Sequence, residues 1–176
     1  MTTNGTGDTP EIIPVYTLVP PDALLIDIAG PLEVLRYANK QQTSVRFDCH
    51  YIAQQTSIGL TVSGLESLPD RLPPNAMLIV SGSIGVGQEE VERDPELIAL
   101  RRWLERTVTD DTRLVTICSG ALLAGAAGLL DGHACTTHAE CIDELRALSP
   151  TARVLDNRLY VDDGNRITSA GISTGI

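Results

Sequence analysis

The sequence predicts an α/β fold of three layers, in which helices cover both faces of a mostly parallel sheet. Short runs rich in Val and Ile alternate with longer segments of helical periodicity, which is typical of successive strand and helix units. Residues 76–82 are almost continuously apolar, as expected for a central strand that is buried on both faces. A chain of 176 residues has the size of one ordinary domain.

The predicted elements of the first half follow in chain order. Residues 12–19, IIPVYTLV, form the first strand, and a Pro-Pro-Asp turn leads from it into a helix within DALLIDIAGPLEVLRYANK. Residues 45–53, VRFDCHYIA, are the second strand, and two short strands are expected around Gly59. The strand at residues 76–82 then ends in a glycine-rich loop.

The second half contains the clearest helix start. Asp94 is a good N-cap and Pro95 suits the first helical position, so a helix is expected from there. Residues 113–117, RLVTI, form the next buried strand, which runs directly into a helix of small residues, CSGALLAGAAGLL. The remaining predicted elements are a short extended piece, a helix and a hairpin, at residues 132–138, residues 139–149 and the turn Asp163-Gly164.

The charge and the apolar content exclude some partners. The formal net charge is -10, and because nucleic-acid affinity rests on Lys and Arg, no direct nucleic-acid binding by this chain is expected. No apolar run approaches the roughly 20 residues of a membrane span, so no membrane partner is expected either.

The chain is expected to form one domain at residues 11–176, preceded by a flexible tail at residues 1–10. The tail has neither a basic start nor an apolar stretch, which makes the cytoplasm the default location. The final run GISTGI looks like the opening of a helix that the sequence does not supply, so a last helix is expected to be missing. Four cysteines are too few and too irregularly placed for a disulfide scaffold.

Cys118 is the strongest candidate for a functional residue. It follows a buried strand and opens a helix, and reactive groups collect at the carboxyl ends of parallel strands. Helix N–H groups at this nucleophile elbow are expected to stabilise the thiolate, while Gly120 lets the strand and the helix approach each other. The alternative is a buried cysteine that acts as a small hydrophobic residue.

Three ordered motifs resemble the PfpI/ThiJ branch of the class I glutamine amidotransferase-like superfamily. They are LIDIAGPLEVLRYA, VTICSGALLAGAAGLLDGHACTTH and LYVDDGNRITSAGISTGI, and the resemblance covers nearly the whole chain. It implies a flavodoxin-like α/β/α sandwich with a nucleophile elbow at Cys118.

Within that superfamily, the motifs are most similar to the N-terminal domains of AraC-type transcriptional regulators, and isonitrile hydratases are similar too. The first resemblance implies a sensor of a small molecule that forms homodimers, needs no cofactor and leaves DNA binding to a C-terminal helix-turn-helix domain absent here. The second implies a hydratase or an amidohydrolase-type enzyme that uses Cys118. The two hypotheses stay open at this point.

Matched to the family motifs, Cys118 falls on the nucleophile and Asp27 on the acidic residue beside its sulfur. Asp27 has an alternative as a helix N-cap. His138 falls where some relatives place a histidine near the pocket, and it has an alternative as a helix cap or surface residue.

The resemblance also assigns ligand-binding positions. Gly82 and Ser83 match the family's Gly-Gly turn, whose amides, with that of Ser119, would form an oxyanion hole; the alternative is an ordinary turn after a strand. Gly30 belongs to the Gly-Pro turn that follows the acidic residue. Protease-like members have His at the position of Ser119, which argues against a peptidase.

A metal site is not expected. Cys135, His138 and Cys141 have the spacing C-x-x-H-x-x-C, which would need a fourth ligand and a suitable turn to hold zinc.

Overall fold

A computed structural model describes residues 9–54 and 64–171. The tail at residues 1–8, the two strands expected around Gly59 and the GISTGI segment after Gly171 lie outside the described residues.

The part of the chain that the structure describes has nine strands, seven of which form the main sheet. In chain order the strands are β1 (Glu11–Leu18), β2 (Val45–Ala53), β3 (Leu65–Ser67), β4 (Met77–Val80), β5 (Arg113–Ile117), β6 (Ala134–Cys135), β7 (Arg153–Val154), β8 (Tyr160–Asp163) and β9 (Arg166–Ser169). The main sheet has the order β3-β2-β1-β4-β5-β9-β8, and every pair is parallel except the hairpin β8–β9. Strands β6 and β7 form a separate parallel pair.

Within residues 9–54 and 64–171, five α-helices and one 3₁₀ turn connect these strands. The helices are α1 (Leu25–Gln41), α2 (Gln88–Arg93), α3 (Pro95–Thr107), α4 (Gly120–Ala126) and α5 (Ile142–Leu148), and the 3₁₀ turn is Ala139–Cys141. The Asp94 carboxylate caps α3 by accepting the amide of Glu96 at 2.7 Å, as its sequence predicts. Among the described residues, no helix is long and apolar enough to cross a membrane.

The core lies on both faces of the sheet. Successive residues of β4 alternate between two apolar clusters: Leu78 and Val80 pack with α3 and α4, whereas Ile79 packs with Ile28 and Leu32 of α1. This alternation shows that the central strand is buried on both faces, because neighbouring side chains of a strand point in opposite directions. The predicted three-layer α/β fold is confirmed.

One local prediction is wrong. The expected Gly-Pro turn before the first helix does not exist, because α1 already begins at Leu25 and encloses Pro31. The glycine-rich loop expected after β4 is present, and the short helix α2, which the sequence did not predict, follows it. Helix α1 starts without any side-chain cap; instead, the amide of Leu24 donates to the carbonyl of Gly82 at 3.0 Å. The local sequence does not predict a helix start that depends on a contact with a distant part of the chain.

Candidate functional site

Cys118 occupies a strained turn between β5 and α4. Its φ is 54°, in the left-handed region that residues other than glycine rarely adopt. The turn is held from both sides, since the Cys118 amide donates to the carbonyl of Ser169 at 3.1 Å and the Thr137 hydroxyl donates to the carbonyl of Cys118 at 2.8 Å. Such strain costs on the order of 1–3 kcal/mol, and it persists only where surrounding contacts hold the backbone in this conformation. The sharp corner expected at this position is therefore present.

Gly120 allows the helix to approach the sheet. A Cβ atom at this position would lie 2.4 Å from the carbonyl oxygen of Val80 and 2.9 Å from that of Ser81. Both atoms belong to backbone, which cannot move aside as a side chain can. Glycine is therefore required at this position for α4 to begin directly behind the thiol.

The Ser119 hydroxyl fixes the loop that follows β4. It accepts the amide of Ser83 at 3.0 Å and donates to the carbonyl of the same residue at 3.0 Å, and both residues are buried. The loop is further paired to the segment before α1 through the bridge of Ser83 with Ala23. Because the Ser83 amide is engaged by Ser119, it is not free for the oxyanion hole predicted from the sequence.

Asp27 lies next to Cys118. The Asp27 Oδ2 atom and the Cys118 Cβ atom each lie 2.9 Å from the position that a Cβ of Gly82 would occupy, so only a glycine backbone fits between them. Leu24, not Asp27, is the N-cap of α1, which makes the alternative role of Asp27 as an N-cap wrong. Asp27 stands in the first turn, four residues before Pro31, and this proline has no amide to donate to the Asp27 carbonyl.

Burial opposes the ionisation of both acidic groups of this pair. The Asp27 side chain is 2% exposed and lies against the backbone of Gly82. Burial raises the pKa of its carboxyl, although the facing Gly82 amide and His138 oppose this rise. Burial also raises the pKa of the Cys118 thiol; the Ser119 amide lowers it, and the charge of Asp27 raises it further. The expected stabilised thiolate is therefore wrong, because desolvation outweighs the helix N–H groups.

An open cleft of about 510 Å³ runs past the thiol. Cys118 is 6% exposed and forms part of its floor. The cleft is lined by Leu24, Ser83, Ile84, Gly85, Val86, Gly87, Glu90, Cys118, Ser119, His138, Glu140, Cys141 and Glu144. The cleft therefore draws its walls from the loop after β4, helix α2, the 3₁₀ turn and α5.

His138 both caps a helix and lines the cleft. Its Nδ1 atom accepts the amide of Glu140 at 3.4 Å at the start of the 3₁₀ turn. The same Nδ1 lies 3.9 Å from the carboxylate of Glu140. His138 can therefore cap the 3₁₀ turn and line the cleft at the same time.

The structure brings most of the predicted site residues together. Cys118, Ser83, Ser119 and His138 line the cleft, and Asp27 and Gly82 lie against Cys118. Gly30 is not brought there, because it lies inside α1 and not in a turn beside the thiol. The functional roles of these residues stay predictions.

The Cys135, His138 and Cys141 triplet is divided. Cys135 is fully buried in β6, whereas His138 and Cys141 line the cleft. Within residues 9–54 and 64–171, no group of three or more His, Cys, Asp or Glu side chains is arranged to hold a metal ion.

The sequence did not place Cys141, Glu90, Glu140 or Glu144 in this cleft. Burial raises the pKa of Cys141 to about 11, with contributions from Glu144, Cys118 and Glu140. The three glutamates come from α2 and from the segment at residues 139–148, which are far apart in the chain. No local motif marks them, so only the tertiary structure identifies them as neighbours.

Comparison with known proteins gives a consistent family assignment. The model of the DJ-1/PfpI family matches residues 14–176. The helix-turn-helix transcriptional regulator GbdR of Pseudomonas aeruginosa is 30% identical over 151 residues, which are 84% of this chain and 39% of GbdR. An isonitrile hydratase of Pseudomonas putida is 32% identical over 157 residues, or 89% of this chain and 64% of that enzyme. The chain thus spans well under half the length of GbdR.

A solved structure has the same fold. The crystal structure of an AraC family transcriptional regulator from Pseudomonas putida superposes with a TM-score of 0.73 at 20% identity, covering 93% of this chain and 86% of the other. At this level of identity the likeness shows the fold alone.

Proposed function

Because this chain belongs to the DJ-1/PfpI family, we propose that it is the small-molecule-sensing domain of an AraC-type transcriptional regulator. Its similarity to GbdR supports this function. In this proposal, DNA is bound by a separate helix-turn-helix domain. The sensing domain is a cytoplasmic homodimer, since symmetric dimers are the commonest soluble assemblies.

The observation that carries the proposal is a formed cleft combined with an unactivated thiol. The cleft of about 510 Å³ falls within the range of about 300–1,000 Å³ that is typical of small-molecule sites. Burial and the charge of Asp27 hold the pKa of the Cys118 thiol above its usual value, whereas a nucleophilic cysteine needs a lowered one. The Ser83 amide is also occupied by Ser119. These features favour reversible binding over covalent catalysis.

Thermal unfolding in the presence of small metabolites tests this function. A ligand at 100 times its Kd is expected to stabilise the folded chain by about 2.7 kcal/mol. The same stabilisation is expected for Cys118→Ser, because the thiol lines the site without reacting. If no compound of any charge class stabilises the wild-type chain, the sensing function is refuted. If binding disappears in Cys118→Ser, the site works by covalent chemistry.

A second candidate function is an isonitrile-hydrating enzyme, which the 32% identity to an isonitrile hydratase favours. Cys118 would attack the terminal carbon of the isonitrile, Asp27 would transfer protons, and water would release an N-substituted formamide. Cys118→Ala and Asp27→Asn would then each abolish the turnover of an alkyl isonitrile. The absence of formamide with the wild-type chain refutes this candidate.

A further inference from the structure

The side of the main sheet that ends in β3 carries a histidine with both ring nitrogens engaged. His50 Nδ1 lies 3.0 Å from Glu66 Oε1, and His50 Nε2 lies 3.3 Å from Asp48 Oδ2. Asp48 belongs to β2, the strand of His50 itself, whereas Glu66 belongs to β3. The imidazole therefore bridges a carboxylate of its own strand and a carboxylate of the next strand.

The His50 ring is also held on its face by a third strand. It stacks on the ring of Tyr16 in β1, with the ring centroids 5.0 Å apart and an angle of 17° between the planes. Tyr16 and His50 are register partners in the parallel pair β1–β2. The His50 side chain is 27% exposed, so solvent screens its ion pairs less than those of a fully exposed side chain.

Strand β3 is short and shallowly packed. It is the outermost strand of the main sheet among the described residues, and it pairs with β2 only from Leu65 to Ser67. Leu65 is half-buried, while Glu66 and Ser67 are exposed. Because β3 buries so little apolar surface, the contact of Glu66 with His50 is a substantial part of what attaches it to β2.

The segment after β3 is anchored separately. The Trp103 Nε1 atom of α3 donates to the carbonyl of Pro69 at 2.8 Å. Leu68 and Leu72 pack against the apolar cluster that contains Trp103. An opening of β3 can therefore end before Pro69 and leave the core intact, as in the local openings that native proteins undergo.

The protonation state of His50 sets the strength of this attachment. A neutral imidazole has one N–H donor, whereas an imidazolium has two and can donate to both carboxylates. The hydrogen bond to Glu66 raises the pKa of His50 most; burial lowers it, and Asp48 raises it further. Since the pKa in the folded chain is raised, the stabilisation is complete below the ordinary pKa of about 6.5 and is lost as pH rises through the raised value.

The other titratable groups at this side of the sheet leave His50 as the one with an ordinary pKa near neutrality. Burial, Glu66 and Asp48 all raise the pKa of the Tyr16 hydroxyl, so that this ring stays neutral. Arg36 of α1 donates to the Tyr51 hydroxyl at 3.2 Å, and Tyr51 points to the opposite face of β2 from His50.

We propose that protonation of His50 controls how firmly β3 is attached to the main sheet. The imidazolium holds β3 on β2 at mildly acidic pH, and its deprotonation makes β3 open more often. Each opening exposes the N–H and C=O groups of β2 that β3 otherwise covers. This inference does not depend on the proposed sensing function.

The test is amide hydrogen exchange of the ¹⁵N-labelled full chain, measured by NMR at about pH 5.5 and about pH 8, on either side of the ordinary pKa of histidine. Each rate is divided by the rate of an unfolded chain at the same pH, so that the resulting protection factor reports opening. The protection of the β3 amides, Leu65 to Ser67, is expected to fall about fivefold from the lower to the higher pH, which corresponds to about 1 kcal/mol.

Three variants assign this change to His50. His50→Gln keeps a polar side chain that does not titrate, so β3 should be equally protected at both pH values. Glu66→Gln removes the carboxylate on β3 and should lose most of the fivefold change. His133→Gln is the matched control: His133 pairs with Asp163 of β8 at 3.1 Å, away from β3, and its replacement should leave the fivefold change intact.

The proposal is overturned if the protection of β3 in the wild-type chain is the same at both pH values, or if β3 is unprotected at both. It is also overturned if the fall in protection persists in His50→Gln, because the pH dependence would then come from another group or from unfolding of the whole chain. Loss of the fivefold change in His133→Gln would likewise contradict the assignment to His50.

Discussion

Ser119→Ala removes the contact that fixes the wall of the cleft. The Ser119 hydroxyl makes two buried hydrogen bonds of 3.0 Å to Ser83, one as acceptor and one as donor. Each buried hydrogen bond contributes about 0.5–1.5 kcal/mol, so that their joint loss is expected to lower the free energy of unfolding by about 2 kcal/mol. In a domain of this size that change lowers Tm by about 4–8 °C.

Two serines provide matched controls for the same substitution. Ser81 is buried and donates one hydrogen bond of 3.0 Å to the carbonyl of Leu18, so Ser81→Ala should cost about half as much. Ser169 is buried with one long bond of 3.5 Å to Thr116, so Ser169→Ala should cost less still. Urea unfolding of the three variants measures this order. Equal stability of Ser119→Ala and Ser169→Ala would refute the stabilising role of the two hydrogen bonds between Ser119 and Ser83.

Other perturbations test the turn and the buried carboxyl. Gly120→Ala should destabilise by more than about 2 kcal/mol in urea unfolding because its Cβ meets rigid backbone at 2.4 Å. Gly125→Ala in the same helix would place its Cβ 2.7 Å from Cδ1 of Leu145, the end of a flexible side chain, and should be nearly neutral; equal losses would contradict the assigned contact. Folding raises the pKa of Asp27, so its contribution is favourable at low pH and is lost as pH rises through the folded pKa. The Tm of Asp27→Asn relative to that of wild type should therefore rise as the pH increases from acid to neutral. A Tm difference that stays constant over this range would show that the Asp27 carboxyl does not cause the pH dependence of stability. Asp27→Asn should also speed the alkylation of Cys118 by iodoacetamide at mildly alkaline pH, since the charge of Asp27 raises the thiol pKa; an unchanged rate would show that this charge does not act on the thiol.

The features that local sequence determines were predicted. Alternating apolar runs identify the strands, the Asp94-Pro95 pair marks the start of α3, and the change from RLVTI to small residues places Cys118 at the corner between β5 and α4. These signals work because strand burial, helix capping and close helix–sheet packing each constrain residues that are neighbours in the chain.

The features that depend on tertiary contacts were not predicted. Helix α1 begins at Leu25 through a backbone bond to Gly82, and no capping side chain announces it. The thiol was expected to ionise easily because the sequence shows the helix behind it, whereas the burial that raises its pKa is visible only in the folded chain. Glu90 and Glu144 line one cleft although they lie 54 positions apart in the chain, a separation that no sequence periodicity predicts.

Protection of Cys118 from alkylation tests most directly whether ligands bind beside this thiol. The rate of Cys118 modification by iodoacetamide, followed by mass spectrometry, is compared with and without a compound that raises Tm. The proposed site predicts that the rate falls as the compound saturates, with a midpoint equal to the Kd from thermal unfolding. An unchanged rate at saturation would place the ligand elsewhere and contradict the assignment of the cleft.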